Sequence, residues 1–277
     1  MSRFCSRRRF LSLASLAIPA AYTKLQAQVT ESSSPVPKGN VAPQSGVVTE
    51  SFPAHPPELA REMVMVSHFN LTRVKELVTA HPALARAALD WGFGDWETAL
   101  GAASHMGNRP IAEYLIANGA RPSLFSAAML GQTEVVKAFV AAQPGVERIA
   151  GPHSISLLAH AKAGGQAARA VFEFLEALGD ADQPAEAALS AAARESLLGT
   201  YIFGPGRTEQ VEVTVERGRL TWTRKGTMGR WLFHLGDHVF YPGGAESVRV
   251  AFKAEDGALV MRIDDPDLVL VARRGKS

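Results

Sequence analysis

The stretch ALDWGFGDWETALGAASHMGN, residues 88–108, gathers two tryptophans, two aspartates, a histidine and several glycines. Three kinds of chemistry use such side chains. A tryptophan held partly in solvent anchors a protein partner. A carboxylate braces a helix start or carries protons, and an imidazole titrates near neutral pH. Gly92 and Gly94 supply turns that aim the rings. Trp91, Phe93, Asp95, Trp96 and His105 are therefore the candidate partner-binding residues. Trp91, Phe93 and Trp96 have an alternative role, since aromatics also hold a long loop down by covering the ends of neighbouring helices.

Elsewhere the chemical signals are weaker. His234 and His238 are four apart, but Gly236-Asp237 is expected to turn the chain between them, and no third ligand follows. His153 and His160 flank an expected helix, and Asp180 or Asp182 is a conceivable acid–base partner, against a plain structural use of the rings. Asp264, Asp265 and Asp267 read as an acidic turn. The chain has no Gly-rich phosphate loop, His-Glu-x-x-His helix or nucleophile elbow. On sequence, then, no catalytic residue, metal site or cofactor is assigned.

The N-terminus is built differently. MSRFCSRRRFLSLASLAIPAAYTKLQAQ runs from a basic stretch through a short apolar one to small residues, the layout of an export signal. Ser6-Arg7-Arg8-Arg9-Phe10-Leu11 resembles the twin-arginine motif, which implies export of an already folded protein to the periplasm. Residues 1–27 hold five basic residues and no acidic ones, so their removal takes the formal charge from +2 to −3. The remaining chain offers no compositional case for nucleic acid or anionic lipid. Its only cysteine, Cys5, leaves with the signal, which excludes a disulfide or a thiolate nucleophile. No apolar run reaches the ~18 residues of a membrane span.

The remainder divides by periodicity. Residues 28–57 are rich in Pro, Ser, Gly and Val and are expected to be a disordered linker. Residues 58–182 carry short helical periods punctuated by glycine. Two segments, 98–120 and 122–144, align with one another and resemble the ankyrin repeat. Thr98, Leu100, Ala103, Gly107, Ile111, Leu115, Gly119 and Ala120 match in the first, and Leu124, Ala127, Ala128, Gly131, Val135 and Val136 in the second. Weaker copies lie at 63–84 and 156–182, giving about four degenerate repeats. The signature Pro and His are replaced by Ala99 and Gly101. The turn positions Phe69, Gly107, Gly131 and Gly165 are spaced 38, 24 and 34, against a period of about 33. The long interval predicts an enlarged loop over Asp90–Glu97; the short one predicts that little separates the second and third repeats. Thr98 is expected to cap its helix, and Gly107 and Gly131 to turn with positive φ. The resemblance implies a stacked array with an extended binding surface.

Residues 183–198 read as a helical connector, and residues 199–277 switch to a period of two. Hairpins are expected near 210–216 with 219–225 and around Asp256-Gly257, giving about eight strands closed into a small antiparallel barrel or curved sandwich. The strand pattern resembles the small lipocalin-like β-domain appended to some serine β-lactamase-like hydrolases. The Ser-x-x-Lys of their catalytic domain is absent here. The expected fold class is α + β in separate domains. The expected function is an exported, non-enzymatic interaction module with a protein partner, the alternatives being a barrel that binds a small ligand or a periplasmic hydrolase.

Overall fold

A computed structural model of the chain describes residues 50–182, 186–206, 208–266 and 268–275. The signal and most of the linker expected at the N-terminus lie outside the described residues, as do residues 183–185 of the expected connector. Helices come first and a closed barrel follows, both within one unit.

The helices form helix–turn–helix pairs. They are α1 (Pro57–Ser67) with α2 (Leu71–Ala80), α3 (Ala99–His105) with α4 (Arg109–Ala117), α5 (Leu124–Met129) with α6 (Thr133–Ala142), and α7 (Leu157–Ala163) with α8 (Arg169–Leu178). Short polar side chains start them. Asn70 accepts from the Arg73 N–H, Thr98 from Gly101, Ser123 from Ser126 and Ser156 from Ala159. The first helices pack in a row, α1 on α3, α3 on α5 and α5 on α7. Ala99, Ala102 and Ala103 of α3 are fully covered, so their small side chains set how closely these helices approach. Larger side chains such as Leu100, Ile111 and Leu115 fill the core between pairs, each contributing ~1.5–3 kcal/mol. Gly107 and Gly131 turn the chain with φ of 68° and 73°. A side chain at either would collide with a backbone carbonyl, that of Ala163 or Ala167. Among the described residues no helix is long and apolar enough to cross a membrane.

The enlarged loop expected over Asp90–Glu97 is built largely as a hairpin over residues 88–98. In it β1 (Ala88–Asp90) pairs antiparallel with β2 (Trp96–Thr98). Gly92, Phe93 and Gly94 all have positive φ, at 111°, 56° and 78°, which reverses the chain at the tip. The Asp90 carboxylate accepts the Gly92 N–H at 2.7 Å and holds the turn. A positive φ at Phe93 is unusual for an aromatic residue, and no local pattern announced it.

A short helix, α9 (Ala191–Ser196), leads into the barrel. Its strands are β3 (Gly199–Ile202), β4 (Gln210–Glu216), β5 (Arg219–Arg224), β6 (Arg230–Gly236), β7 (Val239–Pro242), β8 (Arg249–Glu255), β9 (Ala258–Asp265) and β10 (Leu268–Arg274). They are joined in sequence order and closed by β10 against β3. Asp264 and Asp265 thus belong to strand β9 rather than to an acidic turn; Asp267 lies outside the described residues. Asp237-His238 makes the two-residue turn between β6 and β7, one position later than the expected Gly236-Asp237. Alternate residues point inward: Val213 pairs with Trp222, and both are buried. Tyr201, Phe240 and Phe252 meet edge-to-face inside. Together with Trp222, Leu232 and Met261 they fill an interior that, at eight strands, is about wide enough for side chains alone.

The hairpin tip ties helices to barrel. Phe93 packs on the barrel core, its ring 5.9 Å from Trp222. Arg230 of β6 donates to the Gly92 carbonyl at 2.9 Å and to the Gly243 carbonyl at 2.6 Å, and its Nη1 lies 3.2 Å from Asp95 Oδ2. Gly244 packs directly on the Asp95 carboxylate, with no room there for a Cβ.

Candidate metal centre

Four side chains from four separate elements converge beside this junction. His68 follows the last turn of α1, His105 ends α3, Glu97 sits in the middle of β2, and His153 lies in the short turn before α7. The packing of α1 on α3 sets the rings of His68 and His105 4.9 Å apart; those of His105 and His153 are 5.7 Å apart. Glu97 is wholly buried. Its Oε1 lies 2.9 Å from His105 Nε2, and its Oε2 lies 3.5 Å from both His68 Nε2 and His153 Nε2. One donor atom from each residue can be chosen so that all four fall within 4.8 Å of one another.

The far side of each group is already held. Nδ1 of His68 faces the Val64 and Met65 carbonyls at 3.0 and 3.1 Å, so it carries the proton and Nε2 keeps its lone pair. Nδ1 of His153 faces Asp95 Oδ2 at 2.8 Å, and its backbone N–H donates to Asp95 Oδ1 at 2.9 Å. The indole N–H of Trp91 donates to Glu97 Oε2 at 2.8 Å. Outer partners of this kind fix the tautomer and orientation of metal-ligating imidazoles. The inner atoms, by contrast, are poorly served. His105 Nε2, His153 Nε2 and Glu97 Oε1 are buried without an aligned hydrogen bond, although the first and last are only 2.9 Å apart. Buried donors and acceptors rarely go unmatched unless something else joins them.

The packed groups also shift one another's protonation. Burial would raise the Glu97 carboxyl, but the imidazoles of His105 and His153 against it hold it down at about 2. Burial would lower His153, yet Asp95 and Glu97 raise it to about 9. Burial lowers His68, with His105 adding to the effect against the pull of Glu97. His153 has φ of 61° and Ser154 of 58°, sparsely populated conformations for residues with side chains. They persist because Asp95 binds the His153 backbone and ring together, while Ser154 Oγ donates to Glu246 and accepts the Gly244 N–H at 2.7 Å.

The three imidazoles, but not Glu97, form part of the wall of a cavity of about 420 Å³. The helical side contributes Trp91 and Ile155 as well; the barrel side contributes Arg217, Met228, Arg230 and Trp231. An ion held by the four donors would have the carboxylate behind it and the cavity before it.

Of the residues singled out on sequence, Trp91, Asp95 and His105 meet at this cluster. Phe93 instead enters the barrel core, and Trp96 stays 64% exposed, lining a separate hollow with Phe125 and Pro152. His153 pairs with Asp95 rather than with Asp180 or Asp182, which bind Arg148 and Ser156. His160 lies behind His105, its Nδ1 on the Ser156 carbonyl at 2.8 Å, and burial pushes it down to about 4. His234 is buried against Phe240, with Nδ1 3.0 Å from the Ala187 carbonyl. His68 and Glu97 were not singled out, because no short motif links either of them to the other two residues.

Neither a protein-family model nor a curated protein matches the chain.

Proposed function

We propose that this protein binds one divalent first-row transition-metal ion through His68, His105, His153 and Glu97, and that the ion acts on a small molecule admitted to the adjoining cavity. The observation that carries this reading is the convergence of four nitrogen and oxygen donors, of which His105 Nε2, His153 Nε2 and Glu97 Oε1 are buried with no aligned hydrogen-bond partner among the described residues. An all-imidazole and carboxylate set without sulfur suits Zn²⁺, Fe²⁺, Mn²⁺ or Ni²⁺. Three ligands on a cavity wall suit a catalytic rather than a closed structural site.

The stacked helix pairs are read here as ankyrin-like, the barrel as lipocalin-like, and residues 1–27 as a twin-arginine signal. That route carries folded proteins to the periplasm and would suit a chain loaded with metal before export.

Zinc titration of protein stripped with a chelator tests the proposal. One equivalent should bind, and His105→Gln and Glu97→Gln should each weaken binding by about 100-fold or more, the scale of losing a ligand rather than an outer partner. Stripped wild-type protein that takes up no zinc, manganese, iron or nickel would overturn it.

A second reading, that the helical array docks a protein partner, is favoured by the exposed Trp96 beside the hairpin. A partner that co-purifies with the wild-type chain and is lost from Trp96→Ala would support it.

A further inference from the structure

The cavity has two unlike walls. The helical wall carries the three imidazoles, and the barrel wall carries Met228, Trp231 and two arginines. The arginines differ. Arg230 is only 10% exposed and is already engaged by Asp95 and by the carbonyls of Gly92 and Gly243. Arg217, by contrast, makes no ion pair or side-chain hydrogen bond among the described residues. It sits at the first position of the Arg217-Gly218 turn between β4 and β5, with φ of 50°. Asn or Gly is the ordinary choice at that position. A long cationic side chain is placed there at some conformational cost.

Between these features the lining is aromatic or apolar. Trp231 is about one-third exposed and Met228 half exposed, and both face this space together with Trp91 and Ile155. Arg219 stacks across the Trp231 ring, its guanidinium 5.6 Å from the centroid, which steadies that wall. A volume of about 420 Å³ lies within the range of small-molecule sites.

We infer that the cavity takes a small organic carboxylate with an apolar body, its carboxylate paired with Arg217 and its body laid on Trp231, Met228 and Trp91. The opposite end of such a molecule then faces the imidazoles. That last placement rests on the metal-centre reading; the pairing with Arg217 does not. A planar guanidinium holds a carboxylate through two parallel hydrogen bonds.

The test compares 4-phenylbutyrate with its uncharged amide, 4-phenylbutyramide, by calorimetric titration of the full-length protein. Both metal-free and zinc-loaded samples are used. The carboxylate should bind at least tenfold more tightly than the amide. Arg217→Asn, which relaxes the turn and leaves the fold intact, should remove that preference while leaving the amide's affinity and the zinc affinity unchanged. Trp231→Ala should weaken both probes. Equal binding of the two probes to wild-type protein, saturation by neither, or a preference that survives Arg217→Asn would each overturn the inference. Failure to bind zinc, manganese, iron or nickel would overturn only the metal-centre reading, because the metal-free titrations report the Arg217 pairing by themselves.

Discussion

Asp95 Oδ2 lies 2.8 Å from Nδ1 of His153, a residue 58 positions further along the chain. The same carboxylate oxygen lies 3.2 Å from Arg230 of the barrel. One buried aspartate thus joins the hairpin, the turn before α7 and strand β6, and orients an imidazole of the proposed metal centre. Asp95→Asn keeps the shape but loses the charge that fixes the ring. Its zinc affinity should fall by about 10–100-fold with the fold retained. Asp95→Ala removes the hydrogen-bond acceptors as well as the charge beside Arg230 and should cost about 3–5 kcal/mol in stability. Zinc titration and urea unfolding measure the two effects. An Asp95→Asn variant with wild-type affinity would show that Asp95 only bridges the parts.

The two tryptophans of the hairpin should separate cleanly. Trp91 packs on the helical core and donates to a buried carboxylate. Trp91→Phe keeps most of the packing and should cost about 1.5–3 kcal/mol, the worth of a hydrogen bond to a charged group. Trp96→Ala, at an exposed position, should change stability by no more than about 0.5 kcal/mol. Equal losses in urea unfolding would contradict this division.

Gly131 tests how tightly the helix pairs stack. A Cβ there meets the Ala167 carbonyl oxygen, whereas at Gly119, also at positive φ, it meets nothing within 4 Å. Gly119→Ala should cost only the left-handed conformation, about 1–2 kcal/mol. Gly131→Ala adds a backbone collision and should cost about 3 kcal/mol or more. Thermal or urea unfolding of the two variants compares them directly.

His160 should make the metal-free protein sensitive to acid. Burial depresses its folded pKa to about 4 from an ordinary 6.5. Between those values the unfolded chain binds the extra proton and the folded chain does not. Stability from this source is therefore present above pH 6.5 and is lost as pH falls toward 4, by on the order of 2–3 kcal/mol. His160→Asn can keep the bond to the Ser156 carbonyl and does not titrate. Its unfolding free energy should fall less steeply than wild type between pH 6.5 and 4, and parallel curves would refute the assignment.

Much of this architecture is local and was legible as such. Thr98 caps α3 because a hydroxyl three residues from a free amide needs nothing from the rest of the chain. Gly107 and Gly131 turn with positive φ because only glycine does so without strain. Alternation over 210–216 and 219–225 foretold a hairpin, and the succession of hairpin connections foretold a small barrel or curved sandwich. The unusual density of chemical side chains in residues 88–108 singled out a stretch that supplies Glu97 and His105 to the cluster. Its stated role, partner binding, followed from residue types alone.

Periodicity and short motifs could not assemble the centre itself. Along the chain, Glu97 lies 29 positions after His68, His105 eight after Glu97, and His153 48 after His105. No spacing among them places two ligands on one turn of one helix. They meet because α1 and α7 both pack against α3 and because the hairpin folds Glu97 inward beneath the rings. The positive φ of Phe93 and His153, the reach of Arg230 to Asp95 and the cavity between helices and barrel are likewise products of packing. Local sequence specifies which conformations are cheap; only the sum of distant contacts decides which expensive ones are held.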